Sequence, residues 1–482
     1  MGVKQAIRGF FIKIYKSKIQ EVFDVNEISA VEMQNAINKW INIYRGNPYW
    51  LKGTDDEPND VKTINFAKII CDETARLTNL ALDINVDGSR ADYLKKFADK
   101  CVLPKLRAWT EYAAAYGIII LKPNGAGVDM ITPENFVVTA LDSNGNITGI
   151  VFQDNYVSGE YYYTRFEYHQ LEQNDEGKMI YTIINKAYTS KSANEIGDEI
   201  DLKLTNWAGL EPISIIEKEN DENIDQMLFG VLRMPAANNI VLNGYNGMAI
   251  FSEAVEELKD LDIAYSRNAS EIDRSERIVL FDESLLTMPP AIKEDGTMVK
   301  RIKKIAKWVK NINGAQKDDY YQEINPVLNT EMRIKGINNA LSMIGYKCGY
   351  SNGYFVFDQK TGMVTATQVE ADDRRTIQLI KDVRDCLKVC LDGLFYAQSI
   401  IADLYNLAPA GDYEITYSFG DITYNYEEDK QTCWKYVQAG KYPLWLYYVR
   451  FEKMSEEEAR ALVEEVNDEN EAKAASGLFG TE

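Results

Sequence analysis

Gly349-Tyr350-Ser351-Asn352-Gly353 fits the Gly-x-Ser-x-Gly spacing of a nucleophile elbow, where a strand-to-helix turn presents the serine hydroxyl beside an oxyanion hole. In this chain the periodicity predicts a helix before the serine, and the single histidine, His169, precedes Ser351, the reverse of that fold's order. A hydrolase using Ser351 is therefore the minor alternative. One histidine also excludes metal sites of the HExxH kind, and His169, set in a tyrosine-rich strand, is expected to be a hydrogen-bonded structural group. No GxxxxGK[ST] loop occurs, which disfavours a P-loop ATPase. Asp142, Asn144 and Asn146 mimic the start of a calcium loop, but Ile147 replaces its glycine and Gln153 its bidentate glutamate, so a hairpin turn explains them better.

The cysteines Cys71, Cys101, Cys348, Cys386, Cys390 and Cys433 include no CxxC pair and are expected to be reduced core residues. Cys386 and Cys390, four apart on a predicted helix, fit small buried hydrophobes. Acidic pairs such as Asp372-Asp373 fall in the first turns of a predicted helix, where they suit its dipole. No catalytic, metal or cofactor site emerges, and the expectation is a chain that is not an enzyme and carries no cofactor.

One basic concentration stands out: Lys300, Arg301, Lys303, Lys304, Lys307 and Lys310, interleaved with Ile302, Ile305, Trp308 and Val309. Such an amphipathic element suits a phosphate or acidic partner, or equally the solvated face of a small domain. The whole chain carries a formal charge of -21, so any nucleic acid must be met locally or repelled.

At 482 residues the chain should hold two to four units, and 45% apolar with 26% charged residues is the balance of a folded protein. Lys4, Arg8, Lys13, Lys16 and Lys18 surround a short apolar stretch without the long core of a secretory signal. Runs such as Ile118-Ile119-Ile120-Leu121 are far short of the ~20 residues of a membrane span, so a soluble cytoplasmic product with no membrane partner is expected.

The elements that must position these groups follow from periodicity. Apolar residues three and four apart predict helices over Ile28 to Tyr44, Ile64 to Leu82 and Leu106 to Ala115, with an aromatic turn over Gly46 to Leu51. From Ile118 to about Ile216 the pattern becomes β-rich, with Asn144-Gly145 as the best hairpin signal. Ser252 is expected to cap a helix reaching about Asp273, built on Val255, Leu258, Leu261 and Tyr265. A small α/β module follows, with a strand at Arg277 to Phe281 and turns at Pro289-Pro290 and Asp295-Gly296, ending near Pro326.

A helix from about Asn329 to Lys347 places Met332, Ile334, Ile337, Leu341 and Ile344 near one face. A glycine- and aromatic-rich connector, 349 to 362, leads to the longest helix, from Thr365 or Thr367 to Asn406 and about 60 Å long, with Ile380, Val383, Leu387, Leu394 and Ile401 as its stripe. Tyr413 to Tyr426 alternates as one or two strands. Helices at Cys433 to Ala439 and Ser455 to Val466 close the chain, the latter behind a capping box at Ser455-Glu456-Glu457-Glu458, before a loose tail of about a dozen residues. The fold class is α+β, mainly helical.

This order of helix, small module, helix, connector and very long helix resembles the portal proteins of tailed phages, specifically those of long-tailed phages of Gram-positive hosts. Arg45-Gly46-Asn47-Pro48-Tyr49-Trp50 resembles their early turn, and Asn65 to Leu77 their wing helix. Thr132-Pro133-Glu134-Asn135-Phe136 with Asp142 to Gly149 is similar to their β-wing, and Gly353 to Val369 to the segment entering the long helix.

The resemblance covers nearly the whole chain and implies a portal fold assembled as a dodecameric ring. It divides the chain into a wing at 1–250, a first stem helix at 251–274, a clip at 275–328 and a second stem helix at 329–348. A channel loop at 349–366, a long helix at 367–406 lining the wing and channel, returning wing strands at 407–432 and a crown with tail at 433–482 complete it. It further implies a conduit at one capsid vertex for DNA packaging and ejection, in a virion assembled in the bacterial cytoplasm. The partners implied are copies of itself, double-stranded DNA, the terminase, a head-tail adaptor, and the major capsid and scaffolding proteins.

On this reading Asp358, Gln359 and Lys360 form the channel-loop tip, and the cations at 300–310 lie in the clip, where motor and adaptor dock. Net acidity suits a conduit, because like charge repels phosphate over about a Debye length. Another ring-forming connector or adaptor is the alternative, although these are usually shorter and lack the long helix.

Overall fold

The protein is represented by a computed structural model that describes residues 17–28, 30–51, 61–125, 127–173, 177–217, 224–242, 244–274, 278–282, 287–292, 298–302, 309–312, 321–324, 330–356, 373–420, 426–439, 441–452 and 454–477. Between 268 and 330, at 426–429 and 431–432, and beyond 466, it describes backbone alone. The chain divides into two compact units, Met1–Ser418 and Phe419–Glu482, and the class is α+β.

In the first unit, helical backbone at 17–23 precedes α1 (Val31–Tyr44) and α2 (Phe66–Thr78). Strand β1 (Asp83–Gly88) leads into α3 (Ala91–Phe97), one π turn, and α4 (Leu103–Tyr116). Helix α1 starts at Val31 rather than Ile28, and the helix expected over Ile64 to Leu82 stops at Thr78 because Leu82 already turns toward β1.

The strand-rich region contains β2 (Ile118–Pro123), β3 (Val128–Ile131), β4 (Phe136–Leu141), β5 (Ile147–Ser158), β6 (Tyr161–Gln173), β7 (Met179–Ser190), β8 (Asp198–Ile200) and β9 (Ile213–Ile216). Strands β4 to β8 form an antiparallel meander in chain order, and β9 also pairs with β7. The β4–β5 turn confirms its sequence signal: Gly145 takes φ +82, and Asp142 accepts the Asn144 and Asn146 backbone N–H groups. The Asn146 side-chain amide, which donates to Asp142 at 2.8 Å, and with it these backbone N–H groups hold the Asp142 carboxyl below its usual value.

Strand β10 (Gly230–Arg233) joins β2 and β3 in a second sheet. Then come α5 (Val255–Arg274), β11 (Ile278–Asp282), β12 (Thr287–Ile292), β13 (Met298–Ile302), β14 (Val309–Ile312) and β15 (Tyr321–Ile324), followed by α6 (Thr330–Lys347), α7 (Arg374–Leu404) and β16 (Tyr413–Ser418). Strand β16 returns to pair antiparallel with β1 rather than with the large sheet.

Helix α7 is the axis of this unit: Ile380, Val383, Leu387, Cys390, Leu391 and Leu394 are fully buried along it. Strand β10 crosses it so closely that a Cβ on Gly230 would lie 2.1 Å from the Cys390 carbonyl oxygen, and one on Gly393 3.1 Å from that of Phe229. Two buried guanidiniums fix its sides. Arg384 donates to the carbonyls of Leu77 and Thr78 at 3.0 and 3.1 Å, which satisfies acceptors left open at the end of α2. Arg90, 2% exposed, donates to the Ser399 and Pro409 carbonyls at 2.9 Å each and pairs with Asp403. The helix closes on Asn406 at φ +50, whose N–H bonds the Asp403 carbonyl while Leu407 bonds Ala402, the pattern of a Schellman cap.

One face of the large sheet packs against β2, the segment around Ile224 to Phe229, and Ala397 and Ile400 of α7. The other carries Phe166, Tyr168 and Tyr188, covered by Ile19 with Val22, Phe23 and Val25. On the first face sits the only histidine. His169, 3% exposed, has Nε2 2.8 Å from Glu167 and Nδ1 2.6 Å from the Tyr181 hydroxyl. An ionised carboxylate only accepts, so Nε2 carries the proton and Nδ1 accepts from Tyr181, whose oxygen takes the Leu228 N–H at 3.4 Å. Lys122 and Arg165 pair with the same Glu167 at 2.5 and 3.0 Å. His169 is thus the structural group that its setting in the sequence predicts.

The second unit contains α8 (Tyr426–Gln438), α9 (Leu444–Phe451) and α10 (Glu456–Gly477) around Cys433, Tyr447 and Phe451. The capping box is present: Glu458 donates its N–H to Ser455 Oγ at 3.3 Å and accepts the Ser455 N–H at 3.1 Å. Helix α10 continues to Gly477, well past the expected end at Val466, and α9 is an element the periodicity did not reveal.

Burial pushes the His169 imidazole below its ordinary 6.5, against the pull of Glu167. Burial would raise the Glu167 carboxyl, but Lys122, His169 and Arg165 hold it well below 4.5. The folded chain therefore binds fewer protons than the unfolded one below these values, so stability is full above about pH 6.5 and falls as pH drops through that point and again below about 4.5. Urea midpoints between pH 8 and 4 should show this decline, with a slope of up to about 1.4 kcal/mol per pH unit for the first proton. His169→Gln should remove the limb between pH 6.5 and 5; equal pH dependence of the two proteins would refute the assignment.

Candidate functional site

The candidate site is the helix pair α5 and α6, the strand module between them, and the connector leading to α7. The pair is antiparallel, because Lys347 at the end of α6 donates to the Glu253 carbonyl at 3.1 Å and pairs with Glu257 at the start of α5. Ser252, expected as the helix N-cap, instead lies in a 3-10 turn, Ser252–Ala254, that leads into α5. Near this base the seam is apolar and buried: Val255, Leu258 and Leu261 meet the level of Ile337, Leu341 and Ile344.

Away from the base the cover stops. Tyr265 is 44%, Ile334 41% and Met332 74% exposed, so the last two do not join the buried stripe expected for them. Two helices alone cannot surround an apolar side chain that points away from their common seam.

Helix α5 is held to the N-terminal region by a buried carboxylate. Asp262, 3% exposed, accepts from Trp50 Nε1 and from the Ile64 backbone N–H, each at 2.9 Å. Lys62 N–H bonds Ser266 Oγ at 2.8 Å, and Tyr49 donates to Glu256 at 3.1 Å. The turn carrying Tyr49 and Trp50 is set by Gly46 at φ +73, where Gly46 N–H bonds Ile43 and Asn47 N–H bonds Asn42 in a Schellman closure of α1. The aromatic turn singled out in the sequence therefore docks on the first helix of the pair.

The module consists of strands among its described residues, in two sheets: β14-β11-β15, and β12 with β13. Pro289-Pro290, expected as a turn, lies within β12, and the β12–β13 register shifts between Met288 and Ala291 because neither proline can donate to the ladder. The cationic run is not one element: Lys300 and Arg301 lie on β13, Lys310 lies on β14 in the other sheet, and Lys303, Lys304 and Lys307 fall outside the described residues. Asp295-Gly296 also lies outside them.

The Gly-x-Ser-x-Gly segment is a helix ending followed by a latch. Gly349, at φ +88, closes α6, its N–H bonding Tyr346 while that of Tyr350 bonds Gly345. Ser351, 3% exposed, accepts the Thr376 N–H at 3.3 Å and the Thr376 hydroxyl at 3.0 Å, and returns its own N–H to Thr376 Oγ1 at 2.9 Å. Asp373, the N-cap of α7, makes no side-chain cap bond, so Ser351 caps that helix from the connector. Tyr350 is fully buried with its hydroxyl 2.7 Å from Thr74, and Phe355 meets Phe66 edge-on at 5.3 Å, which fastens the connector to α2.

The hydroxyl of Ser351 is thus engaged by Thr376, and His169 by Glu167 and Tyr181. Asp358, Gln359 and Lys360 lie outside the described residues, as do Thr365, Thr367 and Asp372, and the described long helix begins at Arg374. No group of three or more metal-ligating side chains occurs among the described residues, and no described helix is long and apolar enough to cross a membrane.

No family model and no curated protein matches the chain. Among solved structures it is similar to a chain of one described as "Virion of native gene transfer agent (GTA) particle", with TM-score 0.35 and 12% identity over 86% of this chain and 93% of that one. Similarity at that level transfers no function.

Asp262→Ala should leave the Trp50 and Ile64 donors without their acceptor and cost about 3 kcal/mol, with Asp262→Asn costing roughly half as much, in urea unfolding at pH 7.5. A loss under about 0.5 kcal/mol for the alanine variant would show that this carboxylate does not anchor α5.

Proposed function

We propose that the chain is the portal subunit of a tailed phage, one copy of a dodecameric ring at a capsid vertex through which DNA is packaged and ejected. The observation that carries this reading is the helix pair: an antiparallel hairpin, bearing a strand module at its far end, that exposes Tyr265, Met332 and Ile334 away from its base. Such side chains are stabilised when a neighbouring copy covers them, as a closed ring of laterally packed hairpins would do. The order of elements around the pair, together with the resemblance in the sequence, supports the same assignment.

On this proposal the chain performs no turnover. Its work is mechanical and electrostatic: a net charge of -21 keeps a conduit from binding the phosphates that slide through it. The strand module would serve as the clip, presenting cations of the 300–310 run to the terminase and then to the head-tail adaptor. Asp358, Gln359 and Lys360 would approach the DNA from the channel loop. The wing would meet the capsid and scaffolding proteins.

Negative-stain electron microscopy with mass photometry tests the assignment on the purified chain. Rings of about twelve copies with a central hole are expected, with a side view that separates a portal from a shorter adaptor ring. The double variant M332D/I334D should fold with an unchanged circular dichroism spectrum yet fail to close rings, because both positions are exposed in the single subunit. A strict monomer for the unmodified chain at all concentrations would overturn the proposal.

A further inference from the structure

Two tyrosine hydroxyls accept backbone N–H groups of the segment 224–229, which packs on the large sheet and leads into β10. Tyr396 takes the N–H of Asp225 at 3.3 Å, and Tyr181 that of Leu228 at 3.4 Å. Ile224, Met227, Leu228 and Phe229 are buried there, while the Phe229 carbonyl and Gly230 lie against α7 at Gly393 and Cys390. The segment is thus part of the contact between sheet and helix.

Tyr181 has one phenolic proton, and His169 sets where it goes. The hydroxyl is fully buried and stands 2.6 Å from Nδ1. With His169 neutral, Nδ1 accepts the phenolic proton and the hydroxyl oxygen is left to accept the Leu228 N–H. A proton on Nδ1 makes both ring nitrogens donors, so the phenolic proton loses its acceptor. Turned toward Leu228 it would set donor against donor. A buried hydroxyl proton without an acceptor costs more than one long hydrogen bond contributes.

The surroundings offer no other way to absorb that proton. The charged groups acting on His169 are Glu167 and Arg165 on its own strand and Lys122 on β2. Glu167 holds the Nε2 side and is shared with both cations, whereas the Nδ1 side meets Tyr181 alone. Phe152 of β5 and Phe229 stand nearby as apolar walls, with ring centres 5.1 and 6.4 Å from that of the imidazole. Asp225, the carboxylate of the covering segment, is exposed. We infer that the segment 224–229 is an acid-sensitive strap: a proton on His169 Nδ1 strips the Tyr181 hydroxyl of its acceptor, and the strap lifts at Leu228 so that water can serve it, while β10 stays paired with β2.

Burial holds the closed imidazole below 6.5, and opening to water returns it to that value. The strap is therefore shut above about pH 6.5 and loosens as pH falls, since opening takes up one proton. The inference concerns a single subunit and does not rest on ring formation. It is tested on the full chain by residue-resolved amide hydrogen exchange at pH 7.5, 6.5 and 5.5, corrected for the intrinsic pH dependence of exchange. The Leu228 amide is expected to lose protection about tenfold between pH 6.5 and 5.5 while the amides of the β5–β6 ladder keep theirs. In Tyr181→Phe it should exchange faster at all three values. In His169→Gln, whose side chain can accept from Tyr181 but takes up no proton, it should stay slow at all three. A Leu228 rate independent of pH in the unmodified chain, an equal loss across the β5–β6 ladder, an unchanged rate in Tyr181→Phe, or the unmodified pH dependence in His169→Gln would each overturn the inference. If either variant fails to fold, the comparison within the unmodified chain decides.

Discussion

The buried guanidiniums of Arg90 and Arg384 hold α7 in place, and α2, α3, β2, β10 and one face of the large sheet pack against that helix. A guanidinium presents its donors in a fixed planar fork, so burying one against backbone carbonyls specifies orientation as well as proximity. Arg384 ties the first half of α7 to the end of α2, and Arg90 ties its second half to the chain that follows it. Between these points the glycine contacts at Gly230 and Gly393 let β10 touch the helix backbone, which closes the second sheet onto the same axis. The helix is therefore fixed in rotation by charge and in separation by the absence of side chains.

The large sheet meets β2 and the segment around Leu228 through a polar chain enclosed in an apolar face. Lys122 from β2, Glu167 and His169 from β6, Tyr181 from β7 and the Leu228 amide each supply one partner to the next. Such a sequence tolerates no slip in strand register, since a shift of one residue would turn His169 to the opposite face of the sheet. A wholly apolar contact would hold the layers together with less discrimination between alternatives.

Much of this was legible in the sequence where the signal is local. The change of periodicity at Ile118, the Asn144-Gly145 turn and the capping box at Ser455 each depend on residues within a few positions of one another. Signals whose meaning depends on distant partners misled or were silent. Strand β1 offers only Ile84 and Val86 as apolar residues and exists because β16 pairs with it. Ser252 has the right chemistry for a cap but is followed by a tighter turn, whereas Ser351 caps a helix whose own N-cap lacks the bond. Met332 and Ile334 continue a helical stripe that the subunit leaves uncovered, and the diproline of β12 is accommodated by a bulge that no propensity indicates. Of the candidate site, the helix pair and connector were visible as elements, while the cationic run gave no sign that it divides between two sheets.

The return of β16 to β1 also sets a timetable for synthesis. Arg90 must wait for Pro409, 319 positions later in the chain. At roughly 5–20 residues per second, β1 and Arg90 leave the ribosome some 15–65 s before the strand that pairs with β1. Throughout that interval β1 offers an unpaired edge and Arg90 an unpaired guanidinium to any neighbouring nascent chain. The Asp and Asn residues that alternate along β1, Asp83, Asn85 and Asp87, place polar groups on the outer face of that waiting edge, a composition poorly suited to sticking to a second copy before its own partner arrives.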